Sequence, residues 1–182
     1  MNNIPGKILF DRHEIDRRVN ELAEEIGHDY TGKDMVVVGI LKGAFMFFAD
    51  LIRRLPNQPA IDFARLASYG SGSSSSGCVE IRKDIEISIE GRDVLIIEDI
   101  IDTGITVNAF IEQLKKRRPR SLRVCTLLDK RERREVELPV DYAGFIIDGG
   151  FVVGYGLDYD EKYRCLPDIY ILDEERLSGG GL

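Results

Sequence analysis

Several things are missing from this chain, and each absence narrows what it can be. No apolar run approaches the roughly 20 residues needed to span a bilayer. The opening Met1-Asn2-Asn3-Ile4-Pro5-Gly6-Lys7 has no basic region followed by an apolar core, so neither a membrane span nor a signal peptide is expected. Cysteine is scarce: Cys78, Cys125 and Cys165 form no CxxC and no metal-ligand spacing. That pattern predicts reduced thiols in a cytoplasmic protein rather than a disulfide framework. Histidine is scarcer still, and His13 and His28 have no HExxH or clustered partner and read as surface positions. There is no GxGxxG after a strand-like run, no GxxxxGKS/T and no GxSxG. Positive charge is not in excess either: 25 Lys+Arg face 32 Asp+Glu, a net charge of −7, whereas a dedicated nucleic-acid binder usually carries a basic footprint.

What is present is an ordinary globular balance: 182 residues, 43% hydrophobic and 31% charged, enough for one domain spanning 1–182 with a sizeable core. From Asp11 to Ile26, the apolar residues Ile15, Val19, Leu22, Ala23 and Ile26 follow helical spacing, with Gly27 expected to end the helix. Met35 to Ile40 and Asp93 to Ile97 are continuous apolar runs too short for helices and rich in β-branched residues, the pattern of strands covered on both faces. Residues 44–55 and about 106–118 read as helices. Ile61 to Tyr69, Cys78 to Ile81, Ile85 to Ile89, Leu122 to Leu128, Ala143 to Ile147 and Ile169 to Leu172 read as strands. Alternating strands and helices predict an α/β domain with a mostly parallel central sheet. Between two of the strands lies Gly70-Ser71-Gly72-Ser73-Ser74-Ser75-Ser76-Gly77, a stretch too small and polar to pack and expected to be a mobile loop.

The stretch richest in chemistry is Val94 to Thr106. An apolar strand runs into Glu98 and Asp99, then Ile100-Ile101, then Asp102-Thr103-Gly104-Ile105-Thr106 at the start of a helix. Ligands of open parallel sheets bind beyond the carboxyl ends of strands. Backbone N–H groups, two hydroxyls and a helix N-terminus can cradle a phosphate there. The paired carboxylates can accept bonds from vicinal sugar hydroxyls or hold Mg²⁺. The plain alternative is a strand-to-helix turn with solvated acids and a helix-capping Thr103 or Thr106.

This stretch resembles the 5-phosphoribosyl-1-pyrophosphate (PRPP) motif of type I phosphoribosyltransferases. Four further motifs narrow the resemblance to the hypoxanthine phosphoribosyltransferases of purine salvage: Gly39-Ile40-Leu41-Lys42-Gly43-Ala44, Ser68-Tyr69-Gly70, Thr126-Leu127-Leu128-Asp129-Lys130 and Phe151 to Tyr159. The resemblance implies a central parallel sheet flanked by helices, with a small hood built from the two chain ends. It implies Mg²⁺-dependent transfer of phosphoribose from PRPP to hypoxanthine or guanine, with pyrophosphate released. Glu98 and Asp99 would then serve ribose and metal, and Thr103, Gly104 and Thr106 the 5′-phosphate. Asp102 would belong with the PRPP-binding residues and be the candidate general base near the purine N7, or else stabilise cationic character on the base. Lys42, Gly43 and Arg164 would bind pyrophosphate, the guanidinium through its planar fork. Lys130 would donate to the purine O6, Phe151 would stack on the base, Val152 would offer backbone groups, and Asp158 would coordinate metal. Ser68 and Tyr69 would begin a lid over about 68–78.

Taken alone, several of these residues have plainer readings. Lys42 and Arg164 are surface cations, Lys130 opens the solvated cluster Lys130-Arg131-Glu132-Arg133-Arg134, Phe151 is core, and Asp158 is a turn acid. Two features depart from the usual pattern: the paired Gly149-Gly150 before Phe151 and the four consecutive serines of the loop. Relatives form dimers or tetramers, so the resemblance implies a homodimer or homotetramer. Rival functions are a phosphoribosyltransferase for xanthine or a pyrimidine, and a PRPP-sensing regulator that binds nucleic acid. The acidic charge and the lack of a separate DNA-binding segment disfavour the regulator.

Overall fold

Runs of β-branched and leucine residues too short for helices frame the molecule. In the computed structural model, which describes residues 6–68 and 79–172, the order along the chain is β1 (Gly6–Phe10), α1 (Arg12–Asp29), β2 (Met35–Leu41), α2 (Phe45–Ile52), β3 (Ala60–Ser68), β4 (Val79–Lys83), β5 (Asp93–Ile101), α3 (Ile105–Lys115), β6 (Ser121–Lys130), β7 (Tyr142–Ile147), β8 (Val152–Val153) and β9 (Ile169–Leu172). Six strands form one sheet in the order β4-β3-β2-β5-β6-β7. All its pairings are parallel except β3 with β4. A second, antiparallel sheet of order β1-β9-β8 joins the two ends of the described chain.

Alternation along each strand explains why both faces of the large sheet are covered. Val37, Leu95, Ile97, Cys125 and Leu127 face α1 and α2, meeting Ile15, Val19, Leu22, Ile26, Phe47 and Leu51. Val36, Val38, Val94, Ile96 and Val124 face α3, meeting Val107, Phe110, Ile111 and Leu114. Burying a side chain of this size contributes roughly 1.5–3 kcal/mol. No helix among the described residues is long and apolar enough to cross a membrane.

Four expectations change. Gly27 does not end α1, which runs on to Asp29. It is a buried contact point, since a Cβ there would come within 2.6 Å of the Pro56 ring. Helix α2 stops at Ile52; Pro56 pushes Leu55 out of helical geometry, yet Leu55 is still buried. Helix α3 ends at Lys115, so Arg117 and Arg118 lie past it, and Arg117 pairs with Asp84. Residues 85–89 are not a strand. Ile85 and Ile89 are buried against the α3 side of the sheet, but their backbone is tied down by one side chain. The Asp62 carboxylate accepts from the N–H groups of Glu86 at 2.6 Å and Ile87 at 2.9 Å.

The order β3-β2-β5-β6 places a topological switch point between β2 and β5. From there the chain leaves in opposite directions along the sheet, opening a crevice at the carboxyl ends. Gly39 of β2 lies beside Ile97 of β5, and Ile101 beside Asp129 of β6. Lys42, the Glu98–Asp102 segment and Lys130 therefore emerge along one edge.

Candidate active site

Strand β5 delivers the carboxylates and α3 starts the phosphate-type turn. Gly104 has φ +81° and precedes the helix, a left-handed geometry that glycine adopts at little cost. A Cβ there would also press on Arg134 and Val136, each at 3.1 Å. The turn opens into a cavity of about 320 Å³ lined by Lys42, Gly43, Glu98, Asp99, Asp102, Thr103, Gly104 and Thr106. Every residue expected around the sugar and 5′-phosphate thus meets there. Gly43 is required by close approach, because a Cβ would collide with the Asp99 carboxylate. The peptide between Leu41 and Lys42 is cis.

Glu98 is only 8% exposed. Burial, and then the charge of Asp99 beside it, push its carboxyl well above the usual carboxylate range. Its Oε1 accepts from the Asp99 N–H at 3.2 Å, while Asp99 Oδ1 accepts from the Ile100 N–H at 2.9 Å.

A second cavity of about 220 Å³ adjoins the first, sharing Asp99 and Asp102, and adds Lys130, Gly150, Phe151, Val152, Leu157 and Asp158. Lys130 leaves the end of β6 largely enclosed. Its Nζ donates to the Gly150 carbonyl at 3.2 Å and lies 3.6 Å from Asp102 Oδ2. The Arg133 guanidinium approaches the same oxygen at 3.5 Å, leaving Asp102 Oδ1 buried with no partner. Phe151 is 40% exposed, unlike a core phenylalanine, and Tyr159 meets it edge-on at 5.4 Å between centroids. Val152 is buried in β8, paired with Ile171. The departure at Gly149-Gly150 has a local reason: Gly150 has φ +88° and turns its carbonyl to Lys130.

The third group of residues comes from the loop after β8. Arg164 Nη1 donates to the Gly156 carbonyl at 2.9 Å, and Nη2 lies 2.6 Å from Asp158 Oδ1. Gly156, with φ +101°, packs so closely on the Gly43 carbonyl that a Cβ would collide with it. The Lys42 loop and the Arg164 loop are thereby joined. Lys42 Nζ donates to Glu161 Oε2 at 2.8 Å. That bond, with help from Arg164, holds the Glu161 carboxyl below its usual range.

Asp99 and Asp158 line one cavity, with Glu98 in the adjoining one. These hard oxygen donors fit Mg²⁺, which takes one or two protein carboxylates and completes its shell with water and substrate phosphate oxygens. Among the described residues, no three His, Cys, Asp or Glu side chains cluster closely enough to enclose an ion unaided.

Two contributors escape a reading by sequence. Arg134, within the apparent solvated cluster, donates to the carbonyls of Asp102 at 3.0 Å and Ile101 at 3.3 Å and pairs with buried Asp129 at 2.6 Å. The N–H of Glu135 bonds the Thr103 carbonyl at 3.0 Å, so the segment after β6 braces the phosphate-type turn. Glu161 is the other. Only the identity of the partner distinguishes such residues from solvated charge. Ser68 ends β3, while Tyr69 and the serine-rich stretch lie outside the described residues.

A phosphoribosyl transferase domain model matches residues 6–160. The bifunctional protein TilS/HprT of Listeria monocytogenes is 47% identical over 175 residues, 96% of this chain; the chain spans only 27% of that relative's length. A hypoxanthine-guanine phosphoribosyltransferase of Aquifex aeolicus is 44% identical, over 96% of this chain and 100% of the relative. A crystal structure of a hypoxanthine phosphoribosyltransferase from Staphylococcus aureus superposes with a TM-score of 0.93 at 46% identity, covering 98% of this chain and 97% of that one.

Proposed function

Since the chain belongs to the phosphoribosyl transferase family, we propose that it is a purine-salvage enzyme transferring phosphoribose from PRPP to N9 of hypoxanthine or guanine. The products are IMP or GMP and pyrophosphate. The observation that carries this reading is the enclosed Lys130 ammonium, held by the Gly150 carbonyl beside Asp102 and a half-exposed Phe151. That cavity adjoins a phosphate-type turn through Asp99 and Asp102.

A purine stacked on Phe151 presents its edge to Lys130. The ammonium donates to O6 of a 6-oxopurine, and the amino group of adenine leaves that donor unpaired in an enclosed site, which costs affinity. Thr103, the N–H groups around Gly104 and Thr106 hold the 5′-phosphate, anchoring the sugar so that its anomeric carbon faces the base. Asp99 and Glu98 accept from the ribose hydroxyls. Lys42, the Gly43 N–H and Arg164 hold the pyrophosphate. As N9 forms its bond to C1 from the face opposite, the C1–O bond breaks and its electron pair leaves with pyrophosphate. Asp102, which lines both cavities, takes the proton from N7. Asp99 and Asp158, with Glu98 nearby, would hold Mg²⁺, which when bound would neutralise charge on the diphosphate. The same reading includes assembly into a homodimer or homotetramer, which sedimentation measures.

Lys130→Ala tests the base site. kcat/KM for guanine and hypoxanthine should fall at least about 10-fold, the scale of losing a charged hydrogen-bond donor, with PRPP binding changed little. Full retention of guanine use would contradict the O6 contact.

A further inference from the structure

We propose that Glu161 is an internal stand-in for the leaving diphosphate, occupying the cations of the pyrophosphate subsite until the diphosphate displaces it, and so weakening diphosphate retention. The inference rests on the assignment of Lys42 and Arg164 to pyrophosphate.

One carboxylate oxygen carries it. Glu161 Oε2 accepts from Lys42 Nζ at 2.8 Å and lies 3.4 Å from Arg164 Nη2. Those two cations come from loops 122 residues apart in sequence, brought together where Gly156 packs on Gly43. An anion that bridges both therefore sits where a diphosphate would bridge them.

The chain aims this carboxylate. The Glu161 N–H donates to Asp158 Oδ2 at 2.9 Å, and Asp160 and Glu161 both have left-handed backbone, φ +52° and +58°. These two residues are the turn of a tight hairpin closed by reciprocal bonds between Tyr159 and Lys162, at 3.3 and 3.1 Å, a turn that takes two successive left-handed residues and so fixes where the Glu161 side chain starts. The side chains differ in kind: Arg164 is 19% exposed, Glu161 64%. An exposed glutamate can swing out while the guanidinium stays, and exposed ion pairs contribute little to holding a fold. Its removal should leave the scaffold intact.

Charge balance gives the direction. Lys42 and Arg164 are matched by Asp158 and Glu161. A diphosphate entering this group must compete with Glu161 for the same N–H donors and is repelled by it. Neutralising Glu161 frees both donors and removes the repulsion. Lys42 lines the cavity of the 5′-phosphate turn but Glu161 does not, so a nucleotide monophosphate held at that turn should not feel the loss of the Glu161 charge.

The experiment is isothermal titration of wild type, Glu161→Gln and Lys42→Ala with pyrophosphate plus Mg²⁺, and separately with IMP. Glu161→Gln should bind pyrophosphate about 3- to 10-fold more tightly, the scale of two exposed pairs, with IMP affinity unchanged and stronger product inhibition by pyrophosphate. Lys42→Ala should bind pyrophosphate more weakly. Unchanged or weaker pyrophosphate binding by Glu161→Gln, or equal tightening for IMP, would overturn the stand-in role alone. Unchanged pyrophosphate binding by Lys42→Ala would overturn the subsite assignment and the stand-in with it.

Discussion

Glu98 shows how far a single side chain can be read. Its adjacency to Asp99 at a strand end marked it as chemistry, but the sequence did not distinguish the pair. The fold buries Glu98 and leaves Asp99 lining both cavities. Below the ordinary carboxyl value of 4.5 both the folded and unfolded chains hold the Glu98 proton. Above it the unfolded chain releases the proton while the buried carboxyl keeps it, so this residue lowers stability as pH rises towards its folded value. Glutamine copies the protonated form. Glu98→Gln should therefore unfold at least about 2 °C higher than wild type at pH 8, with the gap closing towards pH 4.5; parallel melting curves across that range would contradict it. Five motifs together single out Lys130, Phe151 and Asp102, and the fold brings these three to one cavity. Arg134 and Glu161 are not singled out, because a charge in a charged run looks solvated until its partner, here Asp129 or Lys42, is known.

At the scale of elements, periodicity located the helices and buried strands well and their ends poorly. The end of α1 departs from expectation because a glycine marks either a stop or a close packing contact, and the position of Pro56 decides for contact. The segment 85–89 mimics a strand because Ile85, Ile87 and Ile89 alternate as a strand would, whereas Asp62 supplies the backbone partners a ladder would otherwise give. The Asp62 carboxyl is pushed up by burial, but the N–H groups of Ile87, Phe63 and Glu86, with Lys83, outweigh this and lower it. Its contribution is therefore complete above the ordinary value of 3.8 and is lost as pH falls through the lowered folded value. Asn at this position turns an amide NH₂ towards donors. Asp62→Asn should cost about 1–3 kcal/mol at pH 7 by denaturant unfolding, with the difference shrinking in acid. An equal cost at pH 7 and below 3.8 would show that packing, not the charge, matters there.

At the scale of the molecule, function follows from where two sheets and three loops meet. The parallel sheet puts its switch point between β2 and β5, and the small sheet of β1, β9 and β8 carries Val152 to the cavity lined by Lys130 and Phe151. The α/β class was legible from the alternation of apolar runs. The strands β1 and β8 are not legible: Gly6-Lys7-Ile8-Leu9-Phe10 neither alternates nor forms a continuous apolar run, and the two residues of β8 carry no period. The account's central claim is that this meeting place joins PRPP to a 6-oxopurine. Pyrophosphate release from PRPP and Mg²⁺, measured separately with hypoxanthine, guanine, xanthine, adenine and uracil, tests it most directly. Release with hypoxanthine or guanine and none above background with adenine is the expected result. Release with adenine or uracil as fast as with guanine, or with no base at all, would contradict it.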